Sequence, residues 1–359
     1  MRILVVSGSS GGHIFPAISL IESLKAQPNS EVLLVLPKRS RVNIEGIAVK
    51  YIDTAIISLR INKENLLNAF NFLKGSLESL ILLLGFRPDV VVGFGSIDSV
   101  PMLILAWLSR ARTLIHEQNI IPGRATRLLA KFSDRIAVSF RQTEDYLKAE
   151  REKIVFTGNP LRSQLKRIDR KEALAFFGFQ ESGFTILVMG GSQSSHKLNV
   201  FFSNALADLR TEFKLQIIHI CGSQDYSLMQ EFYRNFNGKV KLLEFLEEMQ
   251  YAYSAADLVI CRAGATTIAE IIYFAKPAVL IPYPYACQHQ SINAEFLLKR
   301  GCVVVLEESP SAAQGLKEQV TALIDAPLKL ENMRANFSKF TENNAAEALL
   351  KEVVSLGKS

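Results

Sequence analysis

Residues 2–24 read RILVVSGSSGGHIFPAISLIESL, and this stretch decides the fold. A β-branched run ends at a Gly/Ser cluster in residues 8–12, after which apolar residues recur at helical spacing from Ile14 to Leu24. The pattern predicts a strand, a glycine loop and a helix. Because such a loop turns backbone N–H groups and a helix N-terminus toward one point, it is a candidate phosphate site.

The same pattern returns in the second half of the chain, where FTILVM (residues 184–189) precedes GGSQSS (residues 190–195) and a helical segment. His13 and His196 occupy the same place in the two units. Strands alternate with helices throughout, which indicates parallel sheets. We therefore predict an α/β protein with two Rossmann-like domains facing a cleft. Their predicted bounds are residues 1–160 and 161–335, with a closing helix in 336–359 that packs back toward the N-terminal domain.

The composition is that of an ordinary globular protein, with 359 residues, 48% hydrophobic and 21% charged. The net charge of +6 lies entirely in the first half, because residues 1–160 hold 20 basic and 14 acidic side chains, whereas the remainder holds 21 of each. This asymmetry indicates an anionic partner, such as nucleic acid, a membrane surface or a phosphorylated substrate, or a solvated face without a partner.

Several common site types are missing from the sequence. No glycine loop fits GxGxxG, the one GKS lacks a P-loop context, and no HExxH, Cys/His cluster or Asp-x-Asp occurs. We expect no cofactor and no metal. The apolar runs are too short to span a bilayer, and no cleavable leader is expected. The four cysteines lack a CxxC pair and predict free thiols in a reducing cytoplasm: Cys221, Cys261, Cys287 and Cys302.

Six motifs follow one another in an order that resembles the MurG family of N-acetylglucosaminyltransferases. They are GGHIFPA (residues 11–17), HEQN (116–119), GNPLR (158–162), GGSQ (190–193), CRAGATTIAE (261–270) and HQxxNA (289–294). The resemblance covers nearly the whole chain and implies the two-domain GT-B glycosyltransferase fold.

The resemblance implies an inverting transfer from UDP-GlcNAc to the C4 hydroxyl of N-acetylmuramic acid in lipid I, which forms lipid II for peptidoglycan. The C-terminal domain would hold UDP-GlcNAc, and the N-terminal domain would hold the acceptor. The implied partners are UDP-GlcNAc, lipid I and an anionic membrane surface, without nucleic acid. The implied location is peripheral, on the cytoplasmic face of the bacterial plasma membrane.

The resemblance also implies site residues, and elementary chemistry supports several of them. His13 is the predicted general base, since imidazole takes a proton near neutral pH. Glu270 suits the ribose hydroxyls, and an arginine fork suits phosphate. The predicted donor-binding residues are Ser10, Gly11, Gly12, Asn119, Arg162, Ser192, Leu246, Arg262, Ala265, Thr266, Thr267, Ile268, Ala269, Glu270, His289 and Gln290. The predicted acceptor-binding residues are Gly11, Gly12, Gly93, Gly95 and Ser96.

Simpler roles remain open for these residues: Glu270 as a helix-surface charge, Arg262 in a structural ion pair, and His13 as a helix cap. The chain also departs from the family. Its second glycine loop, GFGSID (residues 93–98), lacks a glycine and an aromatic hydroxyl, and Cys287-Gln288 replaces the acidic residues that commonly precede the HQ pair. The donor side therefore looks complete and the acceptor side altered.

Three rival functions follow from that difference: a GT-B transferase with another lipid acceptor, a non-catalytic paralogue that binds UDP-sugar, and, with less support, a UDP-GlcNAc 2-epimerase. The segment 66–86 bears on the choice, because it has more apolar residues than one buried helix face needs. It predicts membrane contact next to the basic excess, or a helix that packs into the domain core.

Overall fold

The chain forms two compact units, one from residues 1–162 and 343–359 and the other from residues 163–342. A computed structural model describes residues 1–40, 44, 46–54, 63–191, 195–207, 209, 214–285, 288–340 and 344–358, without the side chains of 63–67 and 69. None of the helices in these ranges is long and apolar enough to cross a membrane.

The first unit contains a parallel sheet in the order β3-β2-β1-β4-β5-β6-β7. Its strands are β1 (Arg2–Ser7), β2 (Glu31–Pro37), β3 (Val49–Ile52), β4 (Val90–Phe94), β5 (Arg112–Glu117), β6 (Arg135–Val138) and β7 (Ile154–Phe156). The helices between them include α1 (Gly11–Lys25), α2 (Lys63–Phe86), α3 (Val100–Leu108) and α4 (Arg124–Leu129). Side chains alternate across β1, so that Leu4 and Val6 join one apolar cluster and Ile3 and Val5 join another. Helices thus cover both faces of the sheet.

The second unit repeats this architecture with the strand order β10-β9-β8-β11-β12-β13. Its strands are β8 (Phe184–Met189), β9 (Leu215–Ile220), β10 (Lys239–Leu243), β11 (Leu258–Cys261), β12 (Ala278–Leu280) and β13 (Val303–Val305). Its helices are α5 (Arg170–Phe177), α6 (His196–Ala207), α7 (Tyr226–Tyr233), α8 (Met249–Ala255), α9 (Ala265–Phe274), α10 (His289–Leu298), α11 (Ala312–Ile324) and α12 (Pro327–Ala335).

The closing helix differs from the predicted one. Asn336–Lys339 is a short 3-10 helix in the second unit, and the last helix, α13, spans only Ala345–Gly357. It belongs to the first unit, where Leu349 and Val353 are fully buried in the cluster that contains Ile14. A sequence-distant helix thereby completes one face of the first sheet.

The strand order reverses direction at the same place in both units, beside β1 and β4 in the first and beside β8 and β11 in the second. Open parallel sheets bind ligands at such switch points, outside the carboxyl ends of the strands. The glycine loops that follow β1, β4 and β8 all begin at these ends. The fold therefore places the sequence-predicted loops where a doubly wound sheet can bind a ligand.

Candidate active site

His13 lies between two glycine loops in the first unit. It belongs to the first turn of α1, and its Nδ1 lies 3.0 Å from Oε1 of Gln118 at the end of β5. A Cβ on Gly8 would lie 3.3 Å from the imidazole, and a Cβ on Gly95 would lie 3.2 Å from it. Gly95 therefore makes room for the ring, whereas Gly8 mainly lets the two glycine loops approach each other, because a Cβ there would lie 2.5 Å from the Cβ of Ser96. The structure brings His13 and Gly95 together although they come from different motifs.

The start of α1 provides the second feature of this site. Ser10 is the N-cap residue, and its carbonyl oxygen accepts from the backbone N–H groups of His13 and Ile14 at 3.0 Å. Gly11 and Gly12 form the first helical positions without side chains that would block a ligand. The positive end of the helix dipole and the first-turn N–H groups make such a terminus suitable for an anion.

The second glycine loop is held by a cluster that the sequence did not predict. Ser96 has φ +67° and ψ 149°, a conformation that side-chain-bearing residues rarely adopt. Its hydroxyl donates to the buried carboxylate of Asp98 at 2.7 Å, and Arg39 donates to both oxygens of Asp98 at 2.6 Å. A serine thus adopts a backbone conformation that normally requires glycine.

Gly93 lies inside β4 and is buried, and a Cβ there would overlap the side chain of Leu103 on α3. The missing side chain lets α3 pack onto the sheet, so Gly93 has a packing role, and its predicted acceptor contact stays a prediction. Gly95 and Ser96 are the members of this loop that remain at the carboxyl end of β4.

Glu117 organises the loop after β5 and was not among the predicted site residues. Its carboxylate is 2% exposed and accepts from the Asn119 backbone at 2.9 Å, the Asn119 amide at 3.2 Å, the Gly123 backbone at 3.0 Å and the Thr126 hydroxyl at 2.5 Å. Asn119 is therefore fixed by its neighbour two residues earlier. The sequence feature that could have identified Glu117 is an acidic residue at the end of a buried strand, within the HEQN motif.

The GNPLR motif supplies two polar groups to the first unit. The guanidinium of Arg162 lies 4.7 Å from the ring centroid of Phe15, but its Nε is buried without a partner in the described structure. The side chain of Asn159 is also buried, and neither of its amide atoms has a partner among the described residues. Buried polar groups normally have partners, so Asn159 is a candidate ligand contact that the sequence analysis missed.

The glycine loop 190–195 of the second unit, which contains the predicted donor-phosphate contact, is described only in part. Ser192, the predicted phosphate contact, lies outside the described residues, as does Cys287. The other three cysteines are buried free thiols. In the described residues, no group of three or more His, Cys, Asp or Glu side chains is arranged to hold a metal ion.

Arg262 forms the structural ion pair that was its alternative role. Its guanidinium is buried and donates to the Ser195 hydroxyl at 2.8 Å, the Ile281 carbonyl at 2.9 Å and Glu308 at 2.5 Å. Burial by itself raises the pKa of Glu308, but hydrogen bonds from Lys197 and Arg262 hold that pKa below its usual range. All three guanidinium nitrogens of Arg262 therefore contact protein atoms, including the hydroxyl of Ser195 at the end of the glycine loop 190–195, and the predicted donor contact stays a prediction.

The predicted nucleoside-binding segment forms the first half of α9, with Gly264 as its N-cap residue. Glu270 is 7% exposed, and its Oε2 accepts from the hydroxyl of Tyr253 at 2.7 Å. It is therefore not a helix-surface charge. Ile268 is fully buried and packs in the core, and its predicted donor contact stays a prediction. Ala265, Thr266, Thr267 and Ala269 are buried or half-buried at the same helix start.

The remaining predicted residues lie on two other segments of the second unit. Gln290, in the first turn of α10 beside His289, accepts through Oε1 from the backbone N–H groups of Ala263 at 3.2 Å and Tyr283 at 2.9 Å. These two hydrogen bonds fix the orientation of the Gln290 amide. Leu246 is buried, whereas its neighbour Phe245 is 65% exposed and is a further candidate contact.

Comparison with known proteins agrees with this architecture. The glycosyltransferase family 28 N-terminal domain matches residues 3–138, and the C-terminal domain of that family matches residues 185–349. The crystal structure of Acinetobacter baumannii MurG is 26% identical, with a TM-score of 0.77, and covers 99% of this chain and 100% of that one.

Two curated relatives carry the printed name UDP-N-acetylglucosamine--N-acetylmuramyl-(pentapeptide) pyrophosphoryl-undecaprenol N-acetylglucosamine transferase. The protein from Thermodesulfovibrio yellowstonii is 33% identical and covers 99% of each chain. The protein from a Thermoanaerobacter species is 35% identical and covers 99% of this chain and all of its own. These matches confirm the predicted two-domain α/β glycosyltransferase fold, and the chain belongs to the MurG family of N-acetylglucosaminyltransferases.

Proposed function

We propose that this protein transfers N-acetylglucosamine from UDP-GlcNAc to the C4 hydroxyl of N-acetylmuramic acid in lipid I, which forms lipid II. The relatives that match over the whole chain bear the name of this reaction. The observation that carries the proposal is His13, whose ring is seated between two glycine loops at a sheet switch point with Nδ1 bound to Gln118. This is the arrangement that a general base for a hydroxyl nucleophile needs.

In this reaction His13 takes the proton of the C4 hydroxyl as its oxygen attacks the anomeric carbon. The bond between that carbon and the β-phosphate oxygen breaks, and UDP leaves with the electron pair, so the anomeric configuration inverts. Helix termini stabilise the charge that develops on the leaving diphosphate. We assign the stabilisation of this charge to the loop before α6, including Ser192, and to the guanidinium of Arg162.

The second unit supplies the groups that would recognise the nucleotide and its sugar. Glu270 accepts from the ribose hydroxyls, and Gln290 donates through Nε2 to a GlcNAc hydroxyl. The other proposed donor contacts are Ser10, Gly11, Gly12, Asn119, Leu246, Ala265, Thr266, Thr267, Ala269 and His289. Gly11, Gly12, Gly95 and Ser96 would contact the acceptor.

A reconstituted transfer assay tests this function. The full-length protein is mixed with UDP-GlcNAc and lipid I, and both UDP release and lipid II formation are followed by chromatography and mass spectrometry. We expect equal amounts of the two products, and no UDP release when lipid I is omitted. UDP release without lipid II, or no release at all, would contradict the proposal.

The second glycine loop favours one alternative, a transferase of the same fold that uses another lipid acceptor. Ser96, Asp98 and Arg39 build a local hydrogen-bonded cluster in a loop where the family has a glycine and an aromatic hydroxyl. The same assay with other polyprenyl-diphosphate sugars decides between the two. Faster transfer to one of these than to lipid I would favour the alternative.

Glu270 provides a prediction about donor recognition. The Glu270→Ala variant is expected to bind UDP roughly 10-fold to 150-fold more weakly, because a lost hydrogen bond to a charged acceptor costs about 1.5 to 3 kcal/mol. The wild type should prefer UDP over 2′-deoxy-UDP, and the variant should lose this preference. Isothermal titration calorimetry with both nucleotides measures the effect.

The Tyr253→Phe variant is the matched control. It keeps the ring stacked on Phe274, at a centroid distance of 5.0 Å, but removes the hydroxyl that donates to Glu270. We expect it to retain discrimination against 2′-deoxy-UDP, since the carboxylate remains. Equal affinity of the wild type for UDP and 2′-deoxy-UDP would remove Glu270 from the ribose site.

We further propose that the first unit attaches peripherally to the anionic, cytoplasmic face of the bacterial plasma membrane. The exposed apolar face of α2 consists of side chains at helical spacing that are 58–67% exposed: Phe70, Leu73, Leu77, Ile81 and Leu84. Leu83, on the opposite side of α2, is buried in the domain core. The helix thus has one face for packing and another whose apolar surface suits a lipid interface.

Further exposed apolar side chains lie on the helices that follow α2. Trp107 and Leu108 are exposed at the end of α3, which packs against α2, and Leu128 is exposed on α4. Basic side chains accompany Leu128 on the exposed surface, at Arg124, Arg127 and Lys131. Apolar residues would enter the interface while these cations contact anionic headgroups.

A further inference from the structure

Three side chains connect the proposed base to the interior of the first unit. His13 Nδ1 lies 3.0 Å from Gln118 Oε1, and Gln118 Nε2 lies 3.1 Å from His116 Nδ1. His116 Nε2 lies 3.0 Å from the carbonyl oxygen of Gly158. His116 and Gln118 are 0% and 2% exposed, so these contacts form away from bulk solvent.

The Gly158 carbonyl, the last group in this series of contacts, fixes the direction of each hydrogen bond. The Gly158 carbonyl can only accept, so His116 must carry its proton on Nε2. Burial lowers the pKa of His116 to about 4, which keeps the ring neutral at neutral pH and leaves Nδ1 as an acceptor. The group that faces this nitrogen must therefore be a donor.

Gln118 satisfies that requirement in one orientation only. Its Nε2 donates to His116 Nδ1 and also to the His116 carbonyl oxygen at 3.1 Å. The reversed amide would place its oxygen against two acceptors. The Oε1 atom is therefore directed at His13, whose Nδ1 must carry a proton. The lone pair of a neutral His13 is consequently on Nε2.

We propose that Gln118 and His116 are positioning residues that lock His13 in its Nδ1–H tautomer, with Nε2 as the atom that accepts a proton. In water the opposite tautomer of histidine predominates, so the protein must select this one. The use of Nε2 in catalysis rests on the proposed function, whereas the tautomer itself does not.

The group that fixes the His13 tautomer, which we call the lock, is the neutral amide of Gln118 and not a carboxylate. The nearest acidic side chain along the chain, Glu117, directs its oxygens to Asn119, Gly123 and Thr126. A neutral partner fixes the imidazole without placing a negative charge beside it. This differs from the exposed His196 of the second unit, whose Nδ1 lies 2.8 Å from the carboxylate of Asp225.

Nitrogen NMR on protein labelled with ¹⁵N-histidine tests the lock without any substrate. In spectra of the neutral rings, recorded at mildly alkaline pH, we expect a protonated Nδ1 and an unprotonated Nε2 for His13, and the reverse for His116. His13→Gln and His116→Gln spectra assign the signals of the two residues. A wild-type spectrum with His13 protonated on Nε2 would overturn the proposal.

Gln118 variants separate positioning from a general structural role. Gln118→Met removes the polar contacts to both histidines, so the His13 signals should move toward those of a tautomer mixture. The kcat should fall roughly 10-fold to 100-fold with little change in KM for UDP-GlcNAc, because orienting groups act on the reactive one. Gln118→Glu keeps an acceptor toward His13 but loses the donor to His116, so His13 should keep its Nδ1–H tautomer while the His116 signals change, and the kcat should lie between those of the wild type and Gln118→Met.

The outcomes distinguish this proposal from the proposed function. If Gln118→Met leaves the tautomer of His13 unchanged, the lock is wrong whatever the activity. If the lock is observed but removal of His13 does not affect turnover, the base assignment fails and the lock stands. The wild-type spectrum decides the tautomer even if a Gln118 variant does not fold.

Discussion

The His13→Ala variant is expected to lose roughly 100-fold to 10,000-fold in kcat, since general-base assistance contributes this much to a transition state. UDP-GlcNAc binding should remain within about 3-fold of the wild type, because removing an interaction made only in the transition state leaves ground-state affinity intact. Initial rates of lipid II formation and calorimetric binding of UDP-GlcNAc measure the two quantities on the same preparations.

His196→Ala is the control for removing a histidine from a helix start. His196 begins α6, the counterpart of α1, and its side chain is largely exposed. We expect it to change kcat by less than about 5-fold, since substitution of an exposed side chain usually has a small effect. Full turnover in His13→Ala would eliminate the base assignment. Loss of thermal stability or acceptor binding in place of kcat would show that His13 supports the loop.

The buried strands and glycine loops were predictable because each is a local feature of the sequence. The run 184–189 has the bounds that the apolar pattern predicted, since buried parallel strands carry apolar side chains on both faces. The edge strands β3, β7 and β10 have no such run. Apart from the buried Ile52, their side chains are half-buried or exposed, and β10 carries two lysines, so their patterns resemble those of loops.

The site could be predicted only as far as motifs reach. HEQN and CRAGATTIAE selected candidate segments that lie at the carboxyl ends of β5 and β11, but they did not show which atoms each side chain uses. Arg262 is occupied by Glu308, 46 residues later, and Gln118 meets His13 across 105 residues of chain. The spacing of residues along the sequence does not show which distant side chains meet in the fold. The roles of Arg262, Glu117 and Gln118 therefore required the fold.

The double variant Leu73→Glu/Leu77→Glu should bind anionic vesicles at least 100-fold more weakly than the wild type. Each leucine that enters the interface contributes about 1.5 to 3 kcal/mol, so the loss of two is worth about 3 to 6 kcal/mol. Both side chains are more than half exposed, and glutamate is a good helix former, so the fold should be retained. Co-sedimentation with phosphatidylglycerol-rich vesicles at low salt measures binding.

A charge-matched control separates the apolar contact from simple repulsion. Leu228→Glu/Leu328→Glu makes the same change in net charge at exposed leucines of the second unit, and it should bind vesicles nearly as well as the wild type. Wild-type binding should weaken with salt and with zwitterionic lipid, because the basic residues near Leu128 act through screened attraction. If the wild type ignores anionic vesicles at low salt, or if both double variants lose binding equally, the apolar face of α2 is not a membrane anchor. The positive charge of the first half would then serve only the acceptor diphosphate or the solvent.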